Sequence, residues 1–430
     1  MARKIKNAKK LATSKGRKYL LEIVEAGLEA IDTPKVIKNA VSVKGRALII
    51  NNETFPLKNI KRLFVVGVGK CSLEAGGALE KILGNLIDGG IVVDVHKGKL
   101  KKLQTFTATH PLPTPQNIGA TKKIIKLLSG LNENDFVIFI ISGGGSTILC
   151  QPNNLTCRDE KIIFETLTGQ GATIQEINTV RKHSSLARGG FLAKYAYPAK
   201  AVSLIFSDVP GNNLEFIASG PTIKDTTTIE DAKKVLTKYG KKDLYGRIAA
   251  ELIETPKEDK FFKNIKNIMV VSNQTALKAM AEKSKKLGLK PRIMTANLSG
   301  EAHDVAKEIT NRAKAVPPKT VLLYGGETSV TLKGKTPYGG RNQEFGLSAL
   351  RFVEKGIVLA AIASDGRDNT KFGGVICDTI SKEKARKLNL DIEKYLSENW
   401  SYEFWKKTGD YLILGDTGSN VSDLIITIHE

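Results

Sequence analysis

Six short apolar, β-branched runs punctuate this chain, and each ends abruptly in glycine or small polar residues that carry a charged side chain. They are Arg62–Lys70, Asp135–Ser146, Ala201–Gly211, Ile268–Thr275, Thr320–Thr328 and Ile357–Asp368. Continuous apolar runs predict strands buried on both faces, as in parallel sheets, where half-exposed strands would alternate. Tyr19–Ile31 spaces its apolar residues at helical intervals and stops before Pro34. Helices are predicted through Leu73–Leu83 and Ile118–Leu128, with strands near Leu63–Val66, Gly90–Val95 and Phe136–Ile141. Alternation at this spacing predicts βαβ units and a mostly parallel sheet. A lysine-rich helical region runs to Glu254, and the polar stretch Thr255–Asn267 reads as a linker. A second α/β unit is expected from Ile268 onward, with a hairpin over Leu322–Gly334 because Thr328–Leu332 alternates. The expectation is therefore two α/β domains, 1–255 and 256–430, with a ligand site in the cleft between them. Ligands of open α/β sheets sit at the carboxyl ends of strands, so the glycine-rich ends point to an anionic ligand.

Composition narrows the class. With 430 residues and 41% hydrophobic side chains the chain can build a large core. Cys71, Cys150, Cys157 and Cys377 form no CxxC pair or metal-ligand spacing, which fits a reducing cytoplasm. No run of about 18 apolar residues predicts a membrane span, and the N-terminus lacks the apolar core of a signal peptide. The net charge of +22 invites a nucleic-acid partner. Its lysines, however, are scattered along polar helix faces without aromatic interleaving or a nucleic-acid motif, so no specific nucleic acid is expected. The first eighteen residues hold eight basic and no acidic side chains, and read as a mobile tail or the polar face of the first helix.

The strand ends carry the candidate chemistry. Gly67-Val68-Gly69-Lys70 follows a strand and precedes a helix, where backbone N–H groups can approach an oxyanion. It is neither a P-loop nor a complete dinucleotide fingerprint, since Ser72 stands where the third glycine would be; a tight βα turn explains the glycines equally. Ser142-Gly143-Gly144-Gly145-Ser146 offers exposed amides and two hydroxyls to a phosphate or carboxylate. Arg181, Lys182, His183 and Arg188 form a basic cluster able to clamp an anion, or a solvated basic turn. Asp208 can hold Mg²⁺, accept a proton or cap a turn. Gly326-Glu327-Thr328 and Gly339-Gly340-Arg341-Asn342 lie close in sequence, and Arg341 opens a helix. A cation at a helix N-terminus opposes the helix dipole, so Arg341 makes sense there if an anion lies between it and the amides. Asp365 and Asp368 complete the polar strand ends. Two glycine cradles, a lysine and an arginine at their tips and spare carboxylates match phosphoryl transfer, where positioning and charge neutralisation dominate.

Read together, GVGKCS (67–72), HPLP (110–113), SGGGS (142–146), VRKHSS (180–185), GGFLA (189–193), SDVPG (207–211), IASGPT (217–222), GGETSV (325–330), GGRNQE (339–344), SDGRD (364–368) and TGSNVSDL (417–424) resemble the two-domain glycerate 2-kinase family. The resemblance covers nearly the whole chain from about Ala26. It implies an N-terminal Rossmann-like domain and a smaller C-terminal domain of the MOFRL type. It implies ATP-dependent phosphorylation of D-glycerate at its 2-hydroxyl, giving 2-phosphoglycerate and ADP, with Mg²⁺. Carried over by motif, Lys70, Arg341 and Asp208 become the catalytic candidates. Gly69, Ser142, Gly143, Gly144, Gly145, Ser146, Gly326, Glu327 and Thr328 become the nucleotide cradle. Arg181, Lys182, His183 and Asn342 are expected on the substrate, and Asp208, Glu327 and Asp365 on the metal; a homodimer is expected. Asn212 and Asn213 stand where the family shows acidic residues, and Asp368-Asn369-Thr370 where it reads DG followed by proline. Competing readings are an NAD(P)H-dependent hydroxypyruvate reductase and a non-catalytic basic protein that binds polyanions.

Overall fold

A computed structural model describes residues 3–239, 242–334 and 336–430. The chain divides into two compact units. One comprises Thr33–Ser207 and Asn212–Val270; the other comprises the first 32 residues, Asp208–Gly211 and Val271–Glu430.

All six apolar runs are strands, four in the first unit and two in the second. The first unit contains β1 (Arg62–Val68), β2 (Gly89–Asp94), β3 (Gln104–Thr107), β4 (Asp135–Ile141), β5 (Lys200–Phe206) and β6 (Ile265–Val271). Their spatial order is β3-β2-β1-β4-β5-β6. β1 runs parallel to β2 and β4, and the β2–β3 and β4–β5 pairs are parallel too. Every residue of β4 is buried, as its unbroken apolar run requires. The order reverses between β1 and β4, which places the switch point of this Rossmann-like sheet where Lys70 and the Ser142–Ser146 loop emerge. A three-stranded antiparallel meander, Val41–Lys44, Ala47–Ile50 and Glu53–Pro56, precedes the sheet.

The second unit holds β7 (Lys290–Leu298), β8 (Thr320–Gly326), β9 (Ile357–Ala363), β10 (Gly374–Cys377), β11 (Tyr411–Leu412) and β12 (Asp423–His429). Their order is β7-β8-β12-β9-β10-β11, and only the β7–β8 pair is parallel. The last strand of the chain inserts between β8 and β9, turning an expected α/β unit into a mixed sheet. In that register Asp423, the first residue of β12, lies opposite Gly326 on one side and Ala363 on the other.

Three expectations change. The boundary at 255/256 is displaced, because Ile265–Val271 joins the first sheet and the N-terminal helix Lys15–Ala30 packs in the second unit against helix Asn273–Lys286. The segment after Gly326 forms no hairpin; Ser329 makes only an isolated bridge to Glu301. From residue 3 the basic N-terminus is no tail: it forms helices whose Lys15 and Lys18 are exposed, as a polar helix face requires, while one cation departs from that face. Arg17 is fully buried, with Nε and Nη2 on Asp378 at 2.6 and 2.7 Å and Nη1 on Asp410 at 2.7 Å. Excess charge along a sequence cannot reveal which single cation meets carboxylates 361 and 393 residues away. No helix among the described residues is long and apolar enough to cross a membrane.

Candidate functional site

In the first unit the turn after β1 is locked to the loop after β4. The Lys70 amide donates to the Gly143 carbonyl at 3.0 Å, the Ser142 amide to Val68 at 3.0 Å, and Cys71 N–H to Ser142 Oγ at 3.4 Å. Gly69 adopts φ +122°, and a Cβ there would stand 2.1 Å from Ser142 Oγ. Only glycine permits this approach. Ser219 Oγ donates its one hydrogen to Asn178 Oδ1 at 2.7 Å and pairs with the Ser146 hydroxyl at 2.8 Å, from which it accepts. Ala218, Ser219 and Gly220 all carry positive φ beneath this loop. Left-handed non-glycine residues store strain that tends to collect at functional sites.

Helix Ile174–His183 supplies the basic cluster. Its N-terminus carries a capping box between Thr173 and Glu176, so the cluster falls in its last turn. Arg181 Nη2 donates to the Ser146 carbonyl at 2.8 Å, while its Nε is buried without a partner. Burial, with repulsion from Arg188, lowers the Arg181 pKa to about 10. Arg188 pairs Nη1 and Nη2 with the two oxygens of Glu160, at 2.7 and 2.9 Å, although its Nε too is buried without a partner.

In the second unit a polar cluster forms at the end of β8, β12 and β9. Arg341 Nε lies 2.5 Å from Asp423 Oδ2, and Nη2 donates to Glu327 Oε1 at 2.9 Å. The arginine side chain remains 37% exposed, whereas Asp423 is buried. Burial raises the Asp423 pKa against the pull of Arg341. The helix Arg341–Leu350 is capped by Asp368, whose carboxylate accepts the amides of Asn342 at 3.2 Å and Gln343 at 2.8 Å. A Cβ on Gly340 would stand 2.1 Å from Asp368 Cγ, so the glycine exists to admit this cap. Asp208 and Asp365 belong to the same unit. The Asp208 carbonyl accepts Ser422 Oγ at 2.6 Å, next to Asp423 in the chain, and Asp365 Oδ1 accepts the Arg367 amide at 3.0 Å.

Comparison with known proteins decides the family. Residues 19–254 match a family described as a domain of unknown function (DUF4147), and residues 320–423 match the MOFRL family. A protein of Pyrococcus horikoshii named glycerate 2-kinase is 38% identical, the match covering 96% of this chain and 97% of that protein. The D-glycerate 2-kinase of Thermotoga maritima is 35% identical over 95% of this chain and 97% of its own length. The chain belongs to the glycerate 2-kinase family. A solved structure described as glycerate kinase from Thermotoga maritima superposes with a TM-score of 0.84, at 33% identity, covering 96% of this chain and 99% of that one. A solved Pyrococcus horikoshii protein superposes with a TM-score of 0.80 at 38% identity, covering 96% and 98%. As a member of this family the chain is a kinase.

Against that background the candidates sort by environment. Lys70, Gly69 and Ser142–Ser146 share one loop pair, and Arg181 joins them through Ser146. Arg341, Glu327, Asn342, Asp208 and Asp365 all lie in the second unit. Lys182 and His183 depart from the expected substrate role. Lys182 Nζ is buried on Asp225 and Glu215, and His183 places Nδ1 on the Ile253 carbonyl at 2.9 Å and Nε2 on Thr227 at 3.1 Å. Both hold the fold together. Asn342 Nδ2 is taken by Asp368, and the Asn342 side chain is buried, so it too braces the helix cap. The glycine at 326 serves strand pairing, since a Cβ there would meet the Leu298 backbone at 2.3 Å. Thr328 is buried at the strand end. The anion expected between Arg341 and the helix amides is internal: Asp368 takes the amides, and Asp423 and Glu327 take the guanidinium. Among the described residues no group of three or more His, Cys, Asp or Glu has metal-holding geometry, so Asp208, Glu327 and Asp365 do not form a ready-made metal cage. Hard oxygen donors with one or two carboxylates remain compatible with Mg²⁺, which is commonly completed by phosphates and water.

Sequence reasoning missed Asp423 as the partner of Arg341. Asp423 lies inside a matched motif, but only strand register shows that it anchors Arg341.

Proposed function

We propose that this kinase transfers the γ-phosphoryl group of ATP to the 2-hydroxyl of D-glycerate, yielding 2-phosphoglycerate and ADP. The observation that carries this reading is Arg341, a guanidinium pinned by Asp423 and Glu327 yet left 37% exposed. A fixed, accessible cation costs no reorganisation when charge develops on a transferring phosphoryl group. Lys70, carried on the locked turn after β1, supplies a second cation. Lys70 in the first unit and Arg341 in the second are each assigned, by their motifs, either to neutralising the phosphoryl group or to orienting the glycerate carboxylate. Asp208 is assigned to receive the hydroxyl proton or to hold Mg²⁺ together with Glu327 and phosphate oxygens. Magnesium, when bound, offsets the charge of the β- and γ-phosphates. The backbone around Gly143–Gly145 lines the anion pocket.

The reductase alternative needs a pyrophosphate at the first turn of helix Ser72–Leu83. That turn is already capped: Asp94 Oδ2 accepts the Leu73 amide at 2.9 Å, and Asp94 is buried. The acidic residue at the end of β2 therefore faces the helix rather than a ribose.

The test is a coupled assay with D-glycerate, ATP and Mg²⁺, using enolase and pyruvate kinase without phosphoglycerate mutase, with ADP followed separately. Enolase-dependent phosphoenolpyruvate is the expected result. ADP formation without it overturns the 2-position, and no ADP at all overturns the glycerate reading.

A further inference from the structure

The loops after β1 and β4 in the first unit concentrate cations without matching anions. Lys70 packs its side chain over Gly144, where an added Cβ would stand 3.1 Å from both Lys70 Cγ and Cε and 3.2 Å from His110 Cδ2. His110 thus overhangs the same glycine beside Lys70, partly buried and partly open to solvent. Its loop is anchored by Thr147 Oγ1, which donates to the Pro111 carbonyl at 3.2 Å, and by Asn117, which bonds both Thr109 and the Thr147 carbonyl. Thr147 Oγ1 also accepts from Arg181 at 3.4 Å. Arg181 is only 8% exposed, stacks its guanidinium on Phe164, and leaves Nε without an acceptor. Glu160, the nearby carboxylate, is spent on Arg188. A buried guanidinium N–H without a partner costs free energy unless a ligand completes it.

We infer that Arg181 and His110, with Lys70, form a preformed oxyanion pocket over Gly144, and that His110 takes up a proton as the anion arrives. This rests on the kinase reading for its ligands, which present the shared chemistry in two forms, a hydroxy-acid carboxylate and a nucleotide phosphate. The charged groups acting on His110 are Lys70, from the turn after β1, and Arg181, from helix Ile174–His183; no carboxylate is among them. Partial burial and these two cations lower the His110 pKa to about 4, so the free enzyme carries a neutral imidazole. An anion bridging Lys70 and Arg181 removes that repulsion, raises the pKa and draws a proton from solution.

The experiment is calorimetric titration of the full chain at pH 5.5 with D-glycerate and, separately, ADP. Buffers of different ionisation enthalpy report proton uptake, and steady-state kinetics of Arg181→Lys and His110→Gln accompany them. Wild type is expected to take up a substantial fraction of a proton with one ligand, and His110→Gln to lose it while keeping wild-type melting behaviour. Arg181→Lys retains charge but not the fork, and is expected to raise the KM of that same ligand about tenfold or more. Uptake with glycerate assigns the pocket to the carboxylate, and uptake with ADP to phosphate. Absence of His110-dependent uptake with both ligands, or unchanged KM values in a folded Arg181→Lys, overturns the inference. Failure of wild type to phosphorylate glycerate overturns the kinase reading separately.

Discussion

Arg341 rests on the carboxylate of Asp423, with Nε 2.5 Å from Oδ2 and Nη2 3.2 Å from Oδ1. The two residues are 82 positions apart, and the register of β12 between β8 and β9 brings them together. Asp423→Asn keeps the shape but releases the guanidinium. We expect kcat to fall by about 10- to 100-fold, with a near-native melting temperature. Steady-state kinetics on a variant checked by circular dichroism tests this, and wild-type turnover would show that Asp423 does not position Arg341.

Two glycines with positive φ separate close approach from backbone freedom. Gly69 is pressed against Ser142, whereas Gly84, at φ +51°, has nothing within 4 Å of an added Cβ. Gly84→Ala should cost about 1–3 kcal/mol from its positive-φ conformation, φ +51° and ψ −119°, alone. Gly69→Ala must also displace the loop after β4, so it should cost more and abolish turnover. Urea unfolding of both variants decides the matter; equal losses would refute the close-packing argument.

Arg17 neutralises two buried carboxylates, Asp378 and Asp410. Arg17→Met leaves Asp378 without its cation and Asp410 with Lys384 alone, and we expect a loss of about 3–5 kcal/mol. Lys18, one residue later, is exposed, and Lys18→Met should stay within about 0.5 kcal/mol. Chemical denaturation of the pair would expose a solvated N-terminus if both proved silent.

Glu344 is buried and accepts only neutral donors such as Asn399 Nδ2 at 3.2 Å. Burial, reinforced by Glu301 and Asp368, raises its pKa from 4.5 to about 7. The folded state therefore holds the proton more tightly than the unfolded chain. Its stabilising share is full below pH 4.5 and is lost as pH rises through 7. Glu344→Gln should match wild type near pH 4 and exceed it at pH 8, by at most about 3 kcal/mol. Thermal scans at the two pH values test the sign, and a variant less stable at pH 8 would contradict it.

Local order was legible along the chain. All six apolar runs became strands, because an unbroken apolar run can be satisfied only where both faces are covered. Helix Ser72–Leu83 and helix Pro115–Leu128 fall close to their expected spans, since apolar spacing and flanking glycine or proline act over a few residues. The loop pair at Lys70 and Ser142 was visible as well, as glycine in a positive-φ or crowded position leaves a mark in the residue itself.

Partnership was not legible in the same way. Arg181, Lys182 and His183 are consecutive and basic, yet Arg181 keeps a buried Nε without a partner while its neighbours are spent on Asp225, Glu215 and Thr227. Helical rotation of about 100° per residue sends adjacent side chains to different surroundings. Arg341 shows the same division. Its sequence position signalled a missing anion; the fold supplied three carboxylates from distant segments. What the sequence by itself determined is the set of strands, helices and glycine turns, because those follow from short-range sterics and periodic burial. Tertiary structure alone decided which charges are free to meet a ligand, because Coulomb and hydrogen-bond energies depend on distance and burial and are blind to separation along the chain.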